Sequence, residues 1–327
     1  MQFDWQPSCS IAALQLRARV LAHIRAFFAE RAVLEVETPI LSQAIGTDPN
    51  LSFFHTQYDA PPLTQRLFLQ TSPEFAMKRL LAAGSGSIYQ LCKCFRNGEA
   101  GRFHNPEFTM LEWYRVGFDL SQLMNETAEL LQTLFLKEQG RAFEIQKQGY
   151  QSIFQQCTGL DPLVFDYHEY CAYAITHGLD EAIVLCEHSH ALWLDYLFSF
   201  VVQPQLTGDT IWLIYGYPAC QSSLAKLNAN DARITERVEV FIQGVELGNG
   251  YYELQNAKEQ SARFEKEIAF RQQHGLADVV KDERLLAALE FGLPECSGIA
   301  IGVDRVLMLL SGALSIDEVL SFSLLRA

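Results

Sequence analysis

The sequence predicts an α+β fold that contains amphipathic helices and an antiparallel hairpin. A turn is expected around Gly98 and Gly101, and it leads into a strand over residues 104–114, so this segment indicates a β-hairpin. Alternate residues of that second strand share one face: Phe108, Met110, Glu112 and Tyr114. Apolar residues at helical spacing indicate helices over residues 10–31 and 121–136. A hairpin combined with amphipathic helices is typical of the α+β class.

The elements follow in order along the chain. The apolar residues that predict the first helix, over residues 10–31, are Ile11, Leu14, Ala18, Leu21, Ile24 and Phe28. A strand in the segment VLEVETP follows and ends at Pro39, which lies at a sheet edge or an interface because proline cannot donate to a ladder. The apolar stripe of residues 121–136 is expected in the core. Residues 150–210 are expected to be helical and irregular, and no catalytic pattern is recognisable there.

Composition favours one cytoplasmic domain. The chain has 327 residues, 49% of them hydrophobic, which is enough for a large core. No apolar run is long enough to span a membrane, and the N-terminus MQFDWQPSCS does not resemble a secretion signal. The eight cysteines are scattered without a C-x-x-C pair, which favours reduced, mostly buried thiols and no zinc site. A net charge of −14 makes the chain a poor default binder of tRNA.

Three segments resemble the motifs of the class II aminoacyl-tRNA synthetases. FRNGEAGRFHNPEFTMLEWY is similar to motif 2, and HNPEFTMLEWY in particular resembles the lysyl branch. Residues 14–41 resemble motif 1, and residues 298–305 resemble motif 3. The resemblance implies that residues 1–327 form a single class II catalytic domain, an antiparallel sheet flanked by helices, which forms a homodimer through motif 1.

Within that class the chain resembles a truncated lysyl-tRNA synthetase. Lysyl-tRNA synthetases carry an anticodon-binding domain ahead of motif 1, whereas motif 1 begins here within the first twenty residues, so no such domain is expected. The segments GYPACQSSLAKL, ELGNGYYELQNAKEQ and CSGIAIGVDRVLML are similar to the elongation factor P (R)-β-lysine ligase family. That resemblance implies activation of (R)-β-lysine with ATP, followed by its transfer to the ε-amine of a lysine on elongation factor P. No tRNA and no membrane partner are expected.

The resemblance implies a nucleotide site and its catalytic arginines. Arg96 and Arg305 are expected to stabilise the phosphate charge that grows during adenylation. The implied ATP contacts are Arg96, Asn97, Gly98, Glu99, His104, Asn105, Phe108, Glu246, Leu247, Gly302 and Arg305. The family carries Arg-x-Glu in motif 2, but this chain has Gly98 at the glutamate position and Glu99 one place later. Either Glu99 or a backbone group is expected to substitute.

Glutamates are implied for both the metal and the substrate. Glu239 and Glu246 match the acidic residues that hold Mg²⁺ in the family, and carboxylate oxygens suit that ion. The implied substrate contacts are Ser72, Pro73, Glu74, Glu112, Tyr114, Asn249, Tyr251, Glu253 and Ala300. Carboxylates are needed there because a buried, unpaired ammonium carries a large desolvation cost.

Two substrate positions depart from the lysyl-tRNA synthetase pattern. Ser72 replaces a small apolar residue, and Ala300 replaces the usual motif 3 glycine. The methyl group of Ala300 narrows the floor near the amino group, so α-lysine and β-lysine should no longer fit equally. One methyl group discriminates by about 1–3 kcal/mol.

Three functions remain open. The first is the protein-lysine ligase, the second a short lysyl-tRNA synthetase-like enzyme that charges tRNA, and the third a non-catalytic amino-acid-binding regulator. The second predicts a basic tRNA-facing surface, and the sequence shows no basic cluster. The third predicts that residues needed for ATP binding have been replaced. The residues that match the family at these positions are present: Arg96, His104, Phe108, Glu239, Glu246 and Arg305.

Overall fold

A computed structural model describes residues 5–327. The helices are α1 Ile11–Ala29, α2 Glu74–Ala82, α3 Leu120–Gln139, α4 Tyr150–Thr158, α5 Tyr167–Thr176, α6 Glu181–Cys186, α7 His190–Leu197, α8 Ala257–Gln273, α9 Glu283–Gly292 and α10 Val303–Ser311. The strands are β1 Leu34–Glu35, β2 Leu41–Ser42, β3 His55–Ala60, β4 Leu63–Leu69, β5 Ile88–Phe95, β6 Glu107–Val116, β7 Glu144–Gly149, β8 Thr210–Tyr215, β9 Arg237–Ile242, β10 Val245–Tyr252 and β11 Cys296–Gly302. Among these described residues, no helix is both long and apolar enough to cross a membrane.

The main sheet has eight strands in the order β1-β5-β6-β11-β10-β9-β8-β7. Its six central strands are antiparallel, as predicted, but β1 pairs with β5 and β7 pairs with β8 in parallel. The sheet is therefore mixed. The two strands of each edge pair are joined by a connection that contains at least one α-helix, and such a connection is long enough to let both strands run in the same direction. A second sheet, β2-β4-β3, lies beside it.

The predicted hairpin consists of β5 and β6, with Phe95 opposite Glu107 and Ile88 opposite Tyr114. The predicted alternation on β6 is confirmed. Leu111 and Trp113 are buried in the main core, while residues of the opposite face line cavities. At β6, one face of the sheet is therefore packed in the core, and the opposite face lines the cavities in which a ligand can bind.

The predicted first helix is confirmed, but part of its predicted apolar stripe is wrong. Ile24 and Phe28 are buried as expected, whereas Ile11 is 64% exposed and Ala18 is also exposed. The buried stripe instead runs through Leu16 and Val20, because α1 packs against α3 and α10 on a face rotated from the predicted one.

The predicted edge strand is much shorter than the segment VLEVETP. Only Leu34 and Glu35 pair with β5, at the edge of the sheet. Beyond them, Val36 still donates to Tyr89 at 2.9 Å, and Pro39 lines the larger cavity described below. The prediction of an edge position for this segment is confirmed.

The segment between β7 and β8 is helical, as predicted, and has a core of its own. Helices α4–α7 and one π-helical turn bury a separate apolar cluster there. The cluster reaches the main sheet through Tyr217 and Phe241, and the ring of Tyr150 lies 4.6 Å from that of Tyr217. This helical insertion therefore packs on the sheet at β9 on the same face as the cavities, because Phe241 points away from the main core that holds Val240 and Ile242.

One buried carboxylate connects three distant parts of the chain. Asp304, at the start of α10, accepts a hydrogen bond from the backbone N–H of Thr109 at 2.6 Å. Its other oxygen pairs with the guanidinium of Arg17, which also donates to the carbonyl of Val319 at 2.9 Å. Since Asp304 is 1% exposed, Arg17 is the charge that compensates it.

Candidate active site

Two cavities meet on the open face of the main sheet. The larger has a volume of about 540 Å³ and the smaller of about 90 Å³. Four residues line both cavities: Arg96, Met110, Asn249 and Ala300. All nine residues expected to bind the amino acid line the larger cavity, and nine of the eleven expected to bind ATP line the smaller one. The two predicted sites are therefore adjacent, with Arg96 at their junction.

Arg96 follows β5 directly and is held by the hairpin. Its backbone N–H donates to the carbonyl of Pro106 at 2.9 Å, and its guanidinium lies 5.1 Å from the ring centre of Phe108. One guanidinium nitrogen is 3.7 Å from a carboxylate oxygen of Glu99. The Nε of Arg96 is buried without a hydrogen-bond partner among the described residues, which leaves a donor available for an anion.

Arg305 is fixed at the far end of the smaller cavity. Its guanidinium donates to the backbone carbonyl of Glu246 at 2.7 Å and to Nε2 of His104 at 2.7 Å. Because a guanidinium only donates, Nε2 accepts and His104 is neutral. Burial, reinforced by the charge of Arg305, lowers the pKa of His104 accordingly. Arg305 lies in the first turn of α10, where the helix N-terminus also favours an anion.

Two of the expected ATP contacts lie elsewhere. Asn97 and Gly98 form the exposed turn after β5 and do not line the smaller cavity. Gly98 has φ +82°, a conformation that a glutamate rarely adopts, whereas Glu99 lines the cavity beside Arg96. Asn105 lines the cavity, but its amide donates to the carbonyl of Glu107 at 2.6 Å, so it also shapes the loop.

Glu112 is the central carboxylate of the larger cavity. It is 2% exposed, and its two oxygens accept hydrogen bonds from the hydroxyls of Ser72 and Tyr114, each at 2.7 Å. Burial and the charge of Glu74 raise the pKa of Glu112 to about 7, against the lowering effect of these donors and of Lys78. The site therefore holds a carboxyl group whose charge depends on a compensating cation.

Glu74 and Glu253 flank a lysine that the sequence analysis missed. The Nζ of Lys78 lies 2.6 Å from a carboxylate oxygen of each. Burial, together with the charges of Glu74 and Glu112, raises the pKa of Glu253 to about 8, although the charge of Lys78 opposes this shift. Burial alone would lower the pKa of Lys78, but Glu253 and Glu74 outweigh it and raise that pKa.

Strand β11 forms the floor of the larger cavity. Gly298 and Ala300 lie on its cavity side, while Ile299 and Ile301 are buried in the main core. A Cβ added to Gly298 would lie 2.3 Å from the ring of Tyr114. Only glycine therefore leaves room for that ring. Ala300 lines both cavities, so it lies at the part of the cavity floor that its methyl group is expected to narrow.

The predicted metal carboxylates differ in their surroundings. Glu246 lines the smaller cavity at a β-bulge of β10, and its carboxylate accepts no hydrogen bond from any described residue. Glu239 lines neither cavity, and its oxygens accept from Arg237 and, at 2.7 Å, from the hydroxyl of Tyr217. An unpaired carboxylate beside Arg305 fits a divalent cation, so Glu246 suits Mg²⁺ better than Glu239 does.

The residues missed by the sequence analysis support the predicted ones from behind. Lys78 follows Glu74 by four residues, a spacing that usually marks a surface ion pair on a helix. Arg237 and Tyr217 hold Glu239, and Tyr217 in turn packs on the helical insertion. No local pattern in the sequence identifies the contacts of Lys78 with Glu253 and of Tyr217 with Glu239, since each of these joins residues from separate elements.

Comparison with known proteins agrees with this geometry. A family model described as tRNA synthetases class II (D, K and N) matches residues 4–326. A relative from Proteus mirabilis, named elongation factor P–(R)-beta-lysine ligase, is 48% identical over 326 residues, which cover 99% of this chain and 98% of the relative. Relatives with the same name from Vibrio cholerae and Mannheimia succiniciproducens are 48% and 47% identical, covering 99% and 100% of this chain and 99% of each relative.

These matches extend over both cavities and all three predicted motifs. They show that the protein is a ligase with a class II synthetase-type catalytic domain. The chain therefore belongs to the class II aminoacyl-tRNA synthetase family, in the group of bacterial relatives that carry this ligase name.

Proposed function

We propose that the protein activates (R)-β-lysine with ATP and transfers it to the ε-amine of a lysine on elongation factor P. The observation that carries the proposal is the anionic pocket of Glu74, Glu112 and Glu253, which adjoins Arg96 at the junction of the two cavities. Three carboxylates suit a substrate with two ammonium groups, and the names of the relatives supply the identity of the substrate and acceptor.

In the first step, a carboxylate oxygen of the amino acid attacks the α-phosphorus of ATP. A bond forms between that oxygen and phosphorus, and pyrophosphate leaves with the electron pair of the broken P–O bond. Arg96, at the junction, compensates the negative charge that grows on the α-phosphate oxygens. Arg305 binds the distal phosphates, and Phe108 offers a flat face to the base.

We place Mg²⁺ at Glu246, with Glu239 as a supporting carboxylate. Bound there, the ion would neutralise phosphate charge as a Lewis acid. Arg305 donates to the backbone carbonyl of Glu246 and thereby fixes this part of β10 beside the phosphate site.

In the second step, the neutral ε-amine of the acceptor lysine attacks the acyl carbon of the adenylate. A C–N bond forms, AMP leaves with the electrons of the acyl C–O bond, and the amine loses a proton to solvent. A protein acceptor is favoured over tRNA because a chain with 39 acidic and 25 basic residues repels a phosphate backbone.

We further propose a cytoplasmic homodimer. All eight cysteines are free thiols, which fits a reducing compartment. Only Cys220 among them is exposed. In the motif 1 segment, the apolar side chains of Leu34, Ile40 and Leu41 are 43–55% exposed and are available to a second copy.

The decisive experiment offers both acceptors at once. The enzyme is mixed with ATP, labelled (R)-β-lysine, elongation factor P and bulk tRNA, and protein is then separated from RNA. Label on the protein supports the proposal. Label on tRNA with none on protein would overturn it in favour of a short lysyl-tRNA synthetase-like enzyme, and no label on either would favour an amino-acid-binding regulator.

A further inference from the structure

Lys78 is a buried cation behind the wall of the larger cavity. It is 2% exposed, and its Nζ bridges Glu74 and Glu253 at 2.6 Å on each side. It does not line the cavity itself. A substrate therefore meets the two carboxylates and not the lysine.

Glu253 retains one oxygen for a ligand. While one oxygen lies beside Lys78, Oε1 is buried and accepts no hydrogen bond from the described residues. A Cβ on Gly298 would come within 2.8 Å of this oxygen, so the glycine keeps the space around it clear. A buried carboxylate oxygen without a donor is costly unless a cation or donor binds to it.

Charge counting gives Lys78 a role. Glu74, Glu112 and Glu253 carry three negative charges when ionised, and Lys78 cancels one. The two that remain equal the number of ammonium groups on a diamino acid. A pocket without Lys78 would hold one uncompensated charge even when such a substrate is bound, and would bind an additional proton or cation instead.

We propose that Lys78 is a positioning residue that sets the substrate specificity of the pocket, by cancelling one carboxylate charge and by reserving Oε1 of Glu253 for a substrate ammonium group. The inference rests on the proposed function, because it takes a diamino acid as the substrate. Lys78 acts through Glu74 and Glu253, which it holds on opposite sides of its ammonium group.

The test compares a diamino acid with its one-amine analogue. ATP–pyrophosphate exchange is measured with (R)-β-lysine and with 3-aminohexanoate, which lacks the ε-amine, for the wild type, Lys78→Met, Glu74→Gln and the double variant. Glu74→Gln leaves one net negative charge and should lower the preference for the diamino acid by about tenfold. Adding Lys78→Met restores two net charges and should restore that preference.

Lys78→Met alone should separate KM from kcat. The pocket of this variant carries three negative charges and therefore holds an extra proton. The KM for (R)-β-lysine should rise by about tenfold, and the pH at which this KM is lowest should increase. If Lys78 served stability alone, its replacement would lower the melting temperature without changing the pH profile of KM. Lys281→Met is the matched control, since that lysine pairs with Glu265 at the surface.

Several results would overturn the inference. A double variant that keeps the low preference of Glu74→Gln contradicts the charge count, as does a Lys78→Met enzyme with the pH profile of the wild type. Should the single variant not fold, the double variant decides, because it loses one carboxylate together with the lysine and keeps the net charge of the wild type. A wild type that activates no diamino acid contradicts the proposed function, whereas unchanged Lys78 variants of an active enzyme contradict this inference alone.

Discussion

The hydroxyl of Tyr114 donates to Glu112 across 2.7 Å, from two residues farther along the same strand. Residues i and i+2 of a strand share a face, so β6 itself delivers both the carboxyl group and its donor to the cavity. The hydroxyl of Ser72 donates a hydrogen bond to the other carboxylate oxygen of Glu112. Both donors are neutral, so they orient Glu112 without compensating its charge, and its compensation is left to the substrate.

We expect the affinity for the diamino acid to rise with pH. Burial raises the pKa of Glu112 to about 7 and that of Glu253 to about 8, so both are largely protonated at pH 6. An ammonium group binds the ionised forms and must expel these protons. The KM for (R)-β-lysine in pyrophosphate exchange should therefore fall between pH 6 and pH 8, and a flat profile would contradict this reading.

The stability of the ligand-free protein should show the opposite trend. A carboxyl group whose pKa is higher in the folded than in the unfolded state stabilises the fold at low pH and loses that contribution as pH rises through the folded pKa. For Glu112 and Glu253 the loss begins above the ordinary carboxyl pKa of 4.5 and ends near the folded pKa values, which are about 7 and about 8. Thermal unfolding should show a lower melting temperature at pH 8.5 than at pH 6.5, and Glu112→Gln should reduce the difference.

Loss of either phosphate arginine should impair adenylation. We expect Arg96→Ala and Arg305→Ala each to lower the rate of pyrophosphate exchange by about 100-fold, by analogy with removing one oxyanion donor. Arg19→Ala is the matched control, because the side chain of Arg19 is 54% exposed and lines neither cavity. A folded Arg96 or Arg305 variant that exchanges at the rate of this control would refute its assigned role.

Removing the methyl group of Ala300 should weaken the preference for the β-amino acid. Ala300→Gly opens the floor of the cavity, so the ratio of kcat/KM for (R)-β-lysine over α-lysine should fall by about tenfold. Exchange assays with both substrates measure this ratio. An unchanged ratio would mean that the discrimination lies elsewhere, with Ser72 as the next position to vary.

The two metal candidates should respond differently to neutralisation. Glu246→Gln should raise the Mg²⁺ concentration needed for half-maximal exchange by about tenfold, with little change in melting temperature, because its carboxylate has no protein partner to lose. Glu239→Gln should also lower the melting temperature, since it leaves the partly buried Arg237 without its counter-charge. Equal Mg²⁺ curves for Glu246→Gln and the wild type would remove Glu246 from the metal site.

The sequence predicted which residues share a face where a single strand determines it. The period-2 pattern of β6 placed Phe108, Met110, Glu112 and Tyr114 on one face, because pleating alone decides which way these residues point. The three motifs then indicated the correct family. All nine expected substrate residues line one cavity.

What the sequence could not predict depends on contacts between elements. The parallel edge pairs of the sheet depend on how long connections return, and the buried face of α1 depends on the positions of α3 and α10. Lys78 resembled a surface residue because burial of a lysine becomes visible only when Glu253, from a distant strand, is brought beside it.

The link from Arg17 through Asp304 means that the start of the chain reaches the phosphate site. Thr109 of β6 and Arg17 of α1 share the carboxylate of Asp304, and Arg305 is the next residue. A protease cut that releases α1 would leave Asp304 with a buried charge and no cation, directly beside the arginine that holds His104. Nicking within residues 5–30 would thus act on catalysis from a distance, even though none of these described residues borders either cavity.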